Sequence, residues 1–396
     1  MLSILLHLLI LIVAWSVALS WCWRVSVAVA KFRLVPNLLR ADAVIYPHRE
    51  FTLTVIVPAC DEAADIEECL CSLMAQDYPA LRVIAVDDRS KDGTGAIMDG
   101  LAAEAGPTGR LSVIHVEELP AGWMGKTHAM ALAARQATSD WILFTDGDIF
   151  YAPDALRRAV AFAEQSRADH VVVFPTPILR SWGESAMMSF FQTASLWTAR
   201  PWRVPDSASK RDFIGIGAFN MIRRDVYTAL GGFEELRMEV LEDIRLGFLV
   251  KRAGYAQRVA FGRGLVRVRW AAGAFGMVQV LTKNLFSIFR FRARLLLGAC
   301  AWMLLFSVGP FIALFAQGRV RWAGLVAVLA IAMGYRLYAP RTGIPWFYAL
   351  FHPLAALLFV YAMLRSMFIT WKQGGVVWRG TFYSLKELVK NCGPLW

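Results

Sequence analysis

The sequence has few of the residues that build zinc sites or disulfide frameworks. Its 396 residues include 6 cysteines and 6 histidines, and no two cysteines have C-x₂-C spacing. No second imidazole lies at ligand spacing from His115 or His128. These absences argue against a zinc centre or a disulfide scaffold, and the cysteines are expected to be buried thiols.

Charged residues are also scarce, since they make up 18% of the chain against 57% hydrophobic residues. That balance is typical of a chain with membrane segments rather than of one soluble domain. Residues 1–23 carry no basic residue before Arg24 and are long enough to span a bilayer, but they lack the basic start of a secretory signal peptide. We predict an uncleaved transmembrane anchor at 1–23 and a membrane block of two to three helices at 295–369.

Basic residues follow the anchor in the predicted linker 24–50, at Arg24, Lys31, Arg33, Arg40 and Arg49. The positive-inside rule therefore predicts a multi-pass protein of the inner (cytoplasmic) membrane whose central domain faces the cytoplasm. Three full C-terminal spans would place the basic tail, 370–396, on the opposite side. The sequence leaves open whether all three stretches span the membrane or whether one of them is re-entrant, with His352 and Pro353 marking a break, or lies on the surface.

The formal net charge of +11 does not indicate nucleic-acid binding, because the basic residues cluster beside apolar stretches. Anionic lipid headgroups explain such clusters, at about 1 kcal/mol per basic residue near the surface. Residues 275–294 mix apolar and basic side chains. They predict either an interfacial amphipathic segment that delivers a lipid acceptor or a helix that closes the soluble domain.

The soluble domain is predicted at residues 51–274, where apolar strand patterns alternate with helical ones. The first strand begins near Phe51 and is expected to stop at Pro58, and others are expected at 81–86, at 111–116 and just before Asp146. This alternation predicts an α/β fold with a mostly parallel central sheet. No Gly-x-Gly-x-x-Gly motif follows the first strand, which disfavours a nicotinamide- or flavin-binding domain.

Acidic residues follow several of the predicted strands. Ligands of such sheets collect outside the carboxyl ends of the strands, so acids that are distant in sequence would converge on one crevice. Asp146 and Asp148 are two residues apart and can face the same ligand from an extended segment. Hard oxygen ligands favour Mg²⁺ or Mn²⁺, and Mg²⁺ takes one or two carboxylates together with phosphate oxygens. A solvated turn is the alternative interpretation of this motif taken alone.

An ordered set of motifs resembles glycosyltransferase family 2 over about residues 52–270. They are Val57-Pro-Ala-Cys-Asp-Glu62, Asp87-Asp-Arg-Ser90 with Asp92-Gly-Thr94, Gly125-Lys126, Asp146-Gly-Asp148, Glu242-Asp243 and Arg269-Trp270. The resemblance implies a nucleotide-diphospho-sugar transferase (GT-A type) fold. The flanking apolar stretches and the late Val377-Trp-Arg-Gly380 are similar to membrane transferases associated with hopanoid biosynthesis, and relatives that glycosylate carotenoid-type acids share the layout.

The resemblance also implies roles for individual residues. Asp243 would be the general base, Asp148 would bind the metal directly, and Asp146 would lie against the metal and the ribose. The donor would further contact Pro58, Glu62, Asp88 and Lys126. The acceptor or the leaving diphosphate would be flanked by Glu242, Arg269 and Trp270.

Several of these residues have simpler interpretations. Asp243 could be an ordinary acid at a helix N-terminus, Lys126 could be a surface lysine, and Asp92 is expected to cap the helix that begins near Thr94. The family's usual asparagine is replaced by Asp61, which could alter donor choice. Arg269 and Trp270 lack the preceding glutamine of processive synthases, which weakens a role in polymer synthesis.

The expected reaction is inverting, non-processive transfer of a sugar from a nucleotide-diphosphate donor to a membrane lipid. The acceptor is expected to be a hopanoid or another polyisoprenoid, and the cation would assist departure of the nucleoside diphosphate. One base without a second, nucleophilic carboxylate matches inversion. The alternatives are a processive polysaccharide synthase, a carotenoid-acid glycosyltransferase and a non-catalytic membrane scaffold.

Overall fold

A computed structural model of the chain describes residues 2–40, 50–106 and 109–391. Arg49 and most of the second half of the predicted linker, residues 41–49, lie outside the described residues, as do residues 392–396 of the predicted tail.

The described strands are β1 Leu53–Ala59, β2 Leu81–Asp88, β3 Leu111–Val116, β4 Trp141–Phe144, β5 Ile149–Tyr151, β6 His170–Phe174, β7 Thr176–Pro177, β8 Asn220–Arg223, β9 Gln257–Phe261, β10 Val266–Val268, β11 Gly375–Trp378 and β12 Thr381–Ser384. The described α-helices are α1 Leu2–Lys31, α2 Ile66–Met74, α3 Thr94–Ala105, α4 Gly125–Ala134, α5 Ala155–Gln165, α6 Trp182–Ser195, α7 Arg224–Ala229, α8 Glu242–Ala253, α9 Gly273–Ile288, α10 Ala293–Met303, α11 Gly309–Ala313, α12 Arg319–Thr342, α13 His352–Gln373 and α14 Leu385–Asn391.

Seven strands form the central sheet in the order β3-β2-β1-β4-β8-β6-β9. The neighbours of β1 and β2 are parallel, whereas β8 runs antiparallel to both β4 and β6. Apolar clusters cover both faces of the sheet, which explains why β1 and β4 are buried along their whole length. The expected mostly parallel α/β sheet is confirmed, strand β3 has the bounds that the sequence predicted, and α3 begins at Thr94 as expected.

Pro58 does not end the first strand, and that prediction is wrong. Strand β1 continues through Pro58 to Ala59 and pairs there with β2. The pairing with β4 stops at Ile56, so one side of β1 needs no ladder hydrogen bonds at Pro58. A residue without a backbone N–H is tolerated in that position.

Four of the described helical segments are long and apolar enough to cross a membrane: Ile4–Leu34, Ala293–Ala313, Arg319–Thr342 and Trp346–Gln373. The first helix therefore extends beyond the predicted anchor at 1–23, and Arg24 lies inside it. The three others fall in and around the predicted block at 295–369. Helix α9, in the segment expected at 275–294, packs its buried face against α6 and α13.

The C-terminal segment is not a free tail. Strands β11 and β12 form an antiparallel hairpin, and α14 follows it directly. The backbone N–H of Gly125 donates to the hydroxyl of Tyr383 at 3.1 Å, so the hairpin contacts the start of α4 in the soluble domain. Sequence patterns did not indicate this contact, because the two partners are 258 residues apart.

Candidate active site

The loop after β1 is held by Asp61 in a left-handed conformation. Asp61 has φ of 55°, which asparagine and aspartate tolerate better than most residues. Its Oδ1 accepts from the N–H of Lys91 at 2.7 Å, and its own N–H donates to Ser90 Oγ at 3.1 Å. Either aspartate or asparagine can make these contacts, so the departure from the family pattern has a structural explanation.

Glu62 follows in the same loop and is partly buried. Its backbone N–H donates to Thr94 Oγ1 at 2.8 Å, which ties the loop to the start of α3. Asp92 accepts from the N–H of Thr94 and from that of Ala63, so it contacts the start of α3 as expected, although the N-cap position itself is occupied by Gly93. Burial raises the pKa of the Glu62 carboxyl, although Arg379 lowers it.

Asp88 ends β2 and is 2% exposed. Arg89 donates two hydrogen bonds to its carboxylate, from Nε to Oδ1 at 2.8 Å and from Nη2 to Oδ2 at 3.1 Å. Gly125 passes close by, and a Cβ at that position would lie 2.1 Å from Asp88 Oδ2. The motif Gly125-Lys126 therefore needs its glycine so that α4 can begin against the end of β2.

Lys126 joins two of the acidic motifs, which rules out the surface-lysine interpretation. Its Nζ lies 2.5 Å from Asp146 Oδ1 and 2.6 Å from Glu242 Oε1. Burial alone would lower the pKa of the amine, but attraction by Asp146 and Glu242 outweighs it and raises the pKa. Gly217 leaves room for this bridge, because a Cβ there would lie 2.6 Å from Asp146 Oδ2.

Asp148 lies between β4 and β5, on the same turn as Asp146. Burial, followed by repulsion from Asp146 and Glu62, raises the pKa of its carboxyl to about 7. No group of three or more histidine, cysteine or acidic side chains suited to a metal occurs among the described residues. Two carboxylates still fit Mg²⁺ or Mn²⁺ when phosphate oxygens complete the ligand set. The excess negative charge around Asp148 is consistent with such a cation.

Asp243 lies in the first turn of α8, beside Glu242. The two acids line a cavity of about 10 Å³ together with Lys126 and Asn220. Burial and then Glu242 raise the pKa of the Asp243 carboxyl to about 7, while Lys126 opposes the change. Gly215 packs directly on the backbone of Asp243 and leaves no room for a Cβ there. Close packing thus holds the backbone of Asp243 in place. The raised pKa means that its carboxyl would change charge near neutral pH.

Arg269 and Trp270 follow β10 and face α6 rather than the acidic crevice. Arg269 Nη2 lies 3.8 Å from Glu184 Oε1. The ring of Trp270 lies 5.3 Å from that of Phe191, within the apolar cluster that includes α9 and α13. These two residues therefore contact the helices of the apolar cluster. The other predicted site residues come from the strand ends, loops and helix starts around the crevice: Pro58, Glu62, Asp88, Lys126, Asp146, Asp148, Glu242 and Asp243.

Two residues of the C-terminal hairpin also reach the crevice, and the sequence did not assign them to it. Arg379 donates from Nη1 to the carbonyl oxygen of Cys60 at 2.9 Å and from Nη2 to Glu62 Oε1 at 2.6 Å. Tyr383 accepts from the N–H of Gly125. In the sequence, Arg379 belongs to the motif Val377-Trp-Arg-Gly380, which indicates the family resemblance but no location in the fold.

Comparison with known proteins identifies the central domain. Residues 54–231 match the family model described as Glycosyl transferase family 2. The chain carries a glycosyl transferase family 2 domain. Two relatives from Staphylococcus aureus, strains MRSA252 and USA300, are each described as 4,4'-diaponeurosporenoate glycosyltransferase. Each is 23% identical over 357 residues, which cover 88% of this chain and 92% of the relative.

The fold is that of the GT-A transferases. The solved structure of mannosyltransferase PcManGT from Pyrobaculum calidifontis, in complex with GDP-Man and Mn²⁺, matches with a TM-score of 0.52 at 18% identity. The match covers 91% of this chain and 98% of that one. The family domain and the glycosyltransferase relatives make this protein a glycosyltransferase, and the family implies a nucleotide-sugar donor.

Proposed function

We propose that the protein is an inverting, non-processive glycosyltransferase that moves one sugar from a nucleotide-diphosphate donor to an acceptor dissolved in the membrane. The observation that carries the proposal is the Lys126 bridge, with Nζ 2.5 Å from Asp146 and 2.6 Å from Glu242. It joins the carboxylates suited to a metal to the motif that contains the proposed base. A donor held at the first motif would then lie beside the motif that contains the base.

The donor side is formed by the ends of β1, β2 and β4. Glu62 and Asp88 would contact the nucleoside, and Asp146 and Asp148 would hold a divalent cation on the diphosphate. When bound, that cation supplies Lewis-acid stabilisation of the departing phosphate oxygens. Lys126 would neutralise Asp146 and Glu242, so that a dianionic group can enter a crevice lined by carboxylates.

Asp243 would remove the proton from the attacking acceptor group. Burial raises the pKa of its carboxyl to about 7, which suits proton transfer near neutral pH. We assign no second carboxylate of the described site as a nucleophile, so no covalent sugar–enzyme intermediate is proposed. A single displacement, in which the acceptor bonds to the anomeric carbon as the nucleoside diphosphate leaves with the bonding electron pair, inverts the configuration.

The acceptor side would be the apolar surface near Trp270. Trp182, Phe275 and Leu350 are 60%, 70% and 76% exposed there, on α6, on α9 and just before α13. Contiguous exposed apolar side chains next to membrane helices favour contact with lipid. A hopanoid or another polyisoprenoid could approach Asp243 from this side without leaving the bilayer.

The topology that we propose has three crossings, by α1, by α10 with α11, and by α12. Phe32 at the end of α1 contacts Tyr338 near the end of α12, and Arg341 lies over the rings of Phe32 and Phe261 of the sheet. Both helices thus end beside the soluble domain. Helix α13 contacts α6 and α9, and the hairpin that follows it contacts the soluble domain, so α13 would stay on that side of the inner membrane.

Incubation of membranes with radiolabelled nucleotide sugars tests the proposal. We expect label in material that organic solvent extracts, and loss of that label in both Asp148→Ala and Asp243→Asn. Label in insoluble polymer would instead support a processive polysaccharide synthase. No incorporation from any donor, with folded protein, would support a scaffold.

A carotenoid-type acid is the second candidate acceptor, and the names of the two Staphylococcus relatives favour it. A carboxylic acid ordinarily has a pKa near 4 and is ionised at neutral pH, so it needs no base before attack. Asp243→Asn would then reduce transfer only a few-fold. A hydroxyl acceptor predicts a loss of about 10²-fold or more. Comparing the variant on a carotenoid acid and on a polyisoprenoid alcohol separates the two acceptors.

A further inference from the structure

The C-terminal hairpin contacts three parts of the chain around the proposed donor site. Arg379 contacts the loop after β1, through Cys60 and Glu62, and Tyr383 contacts the start of α4. Arg89, after β2, donates to Thr381 Oγ1 at 3.3 Å. A segment more than 100 residues beyond the sheet's last strand thus returns to the ends of the first two strands.

The hairpin turn holds Arg379 in an unusual backbone conformation. Arg379 has φ of 45° and Gly380 has φ of 74°, as in the two-residue turns with two left-handed residues. Asparagine, aspartate or glycine normally occupies the first position, because most other side chains are strained in this conformation. The turn therefore presents an arginine at some cost in backbone energy, which indicates that the side chain has a use.

The guanidinium of Arg379 has more donors than its described hydrogen bonds use, and these donors could bind an anionic ligand. Arg89 is committed to Asp88 and Lys126 to Asp146 and Glu242, whereas the described bonds of Arg379 use one N–H on each terminal nitrogen. A guanidinium has five N–H donors in a fork that matches phosphate. Burial would lower the pKa of Arg379, but attraction by Glu62, Asp146 and Asp148 keeps it raised. The guanidinium is thus close to the carboxylates that would hold the donor.

A second cation lies at the base of the same hairpin. Lys283 of α9 stands 5.1 Å from the ring centre of Trp378. Burial and repulsion by Arg379 lower the pKa of its amine. The indole N–H of Trp378 is buried without a hydrogen-bond partner among the described residues. The hairpin thus carries one cation in its turn and packs against a second at its base, and both would attract an anion.

We propose that the hairpin is part of the donor site and that Arg379, assisted by Lys283, binds the diphosphate of the nucleotide sugar. Arg379 would exchange part of its contact with Glu62 for phosphate oxygens when the donor enters. This inference rests on the proposed function, because it assumes a nucleoside-diphosphate donor. It adds a binding residue that comes from outside the family 2 domain at 54–231.

The test is calorimetric binding to the purified full-length protein with Mg²⁺ or Mn²⁺ present. The probes are UDP, GDP, CDP, ADP and dTDP, each compared with its nucleoside. Charge-assisted hydrogen bonds of this kind correspond to a loss of about 10–100-fold in affinity. We expect Arg379→Gln to show that loss for the preferred diphosphate and less than a two-fold change for the nucleoside. Arg379→Lys, which keeps the charge without the fork, should lie between Arg379→Gln and wild type.

Two further variants distinguish ligand binding from a purely structural role. Lys386→Gln removes one charge from an exposed position of α14 in the same segment and should bind like wild type. Tyr383→Phe removes the contact with Gly125 and keeps Arg379; it should weaken diphosphate binding less than Arg379→Gln. Equal losses in the Tyr383 and Arg379 variants, for nucleoside and diphosphate alike, would overturn the inference in favour of simple docking.

The remaining outcomes are also decisive. Unchanged or tighter diphosphate binding by folded Arg379→Gln and Arg379→Lys would overturn the inference while the proposed function stands. If wild type binds none of the diphosphates, the proposed function fails and the inference fails with it.

Discussion

Replacement of Asp243 by asparagine tests the proposed base through the pH dependence of transfer. Burial raises the pKa of the Asp243 carboxyl from 3.8 to about 7. Only about one tenth of the carboxyl is then ionised at pH 6, and about nine tenths at pH 8. If ionised Asp243 accepts the proton of a hydroxyl acceptor, the wild-type rate should fall about ten-fold for each pH unit below 7.

The assay is the initial rate of label transfer into lipid extract from pH 5.5 to 8.5, at saturating donor and cation. Asp243→Asn should lower the plateau by about 10²–10⁴-fold and abolish the limb below pH 7. A wild-type rate that does not change between pH 5.5 and 8.5, or a variant that keeps the same limb, would refute the assignment of the titrating base to Asp243.

Although Asp243→Asn should lower activity, it should raise the stability of the fold at neutral and alkaline pH. Because the folded-state pKa is raised, the protonated form stabilises the fold fully below about pH 4, and this contribution is lost as the pH rises through about 7. The difference between 3.8 and about 7 sets a ceiling of about 4 kcal/mol, at about 1.36 kcal/mol per pH unit. Asp243→Asn should therefore melt at a higher temperature than wild type at pH 8, and this difference should shrink steadily as the pH is lowered from about 7 to about 4.

Three other predictions concern the crevice and the topology. Gly217→Ala should slow transfer at least ten-fold, because its methyl group would lie 2.6 Å from Asp146 Oδ2, whereas Gly100→Ala, with nothing within 4 Å, should have normal activity and slightly higher stability. Chelation should abolish transfer, Mg²⁺ or Mn²⁺ should restore it in wild type, and neither should restore it in Asp148→Ala. In sealed right-side-out vesicles, an impermeant maleimide should label Gly318→Cys but not Lys386→Cys, and the opposite pattern would contradict three crossings.

The sequence predicted the sheet well because its strands are short apolar runs that end in recognisable turns. Strand β3 had the expected bounds because it has a clear apolar pattern, and α3 had the expected start because Gly93 precedes it. The predicted strand end at Pro58 was wrong because a proline is tolerated inside a strand where no neighbouring strand pairs with one of its sides. That information lies in the bounds of β4, which a local pattern does not contain.

The crevice was partly predictable for a different reason. In a parallel sheet the strand ends converge, so Asp88, Asp146 and Asp148 could be grouped without coordinates. The bridge made by Lys126 could not be predicted, because a lysine at the start of a helix has the same local signal whether it is solvated or paired. The structural use of Asp61 was likewise hidden, since its φ of 55° depends on contacts with the loop after β2.

The C-terminal hairpin shows the limit of local patterns most clearly. The four-residue motif around Arg379 predicted a family but no location, since its partners Cys60 and Glu62 are more than 300 residues away. The basic tail did give an indirect clue. Its charge conflicted with three full C-terminal spans, and that conflict disappears if α13 remains on the side of the soluble domain.

Helix α9 connects the two proposed substrate sides physically. At its start, the N–H of Gly273 donates to Glu184 at 2.7 Å, and Glu184 also pairs with Arg269 on the acceptor side. Ten residues later, Lys283 lies against Trp378 of the hairpin on the donor side. A rigid helix that is fixed at both places transmits a displacement along its axis rather than absorbing it. Binding of an acceptor near Trp270 should therefore alter the affinity for the donor diphosphate, and by thermodynamic linkage the donor should alter acceptor affinity by the same factor.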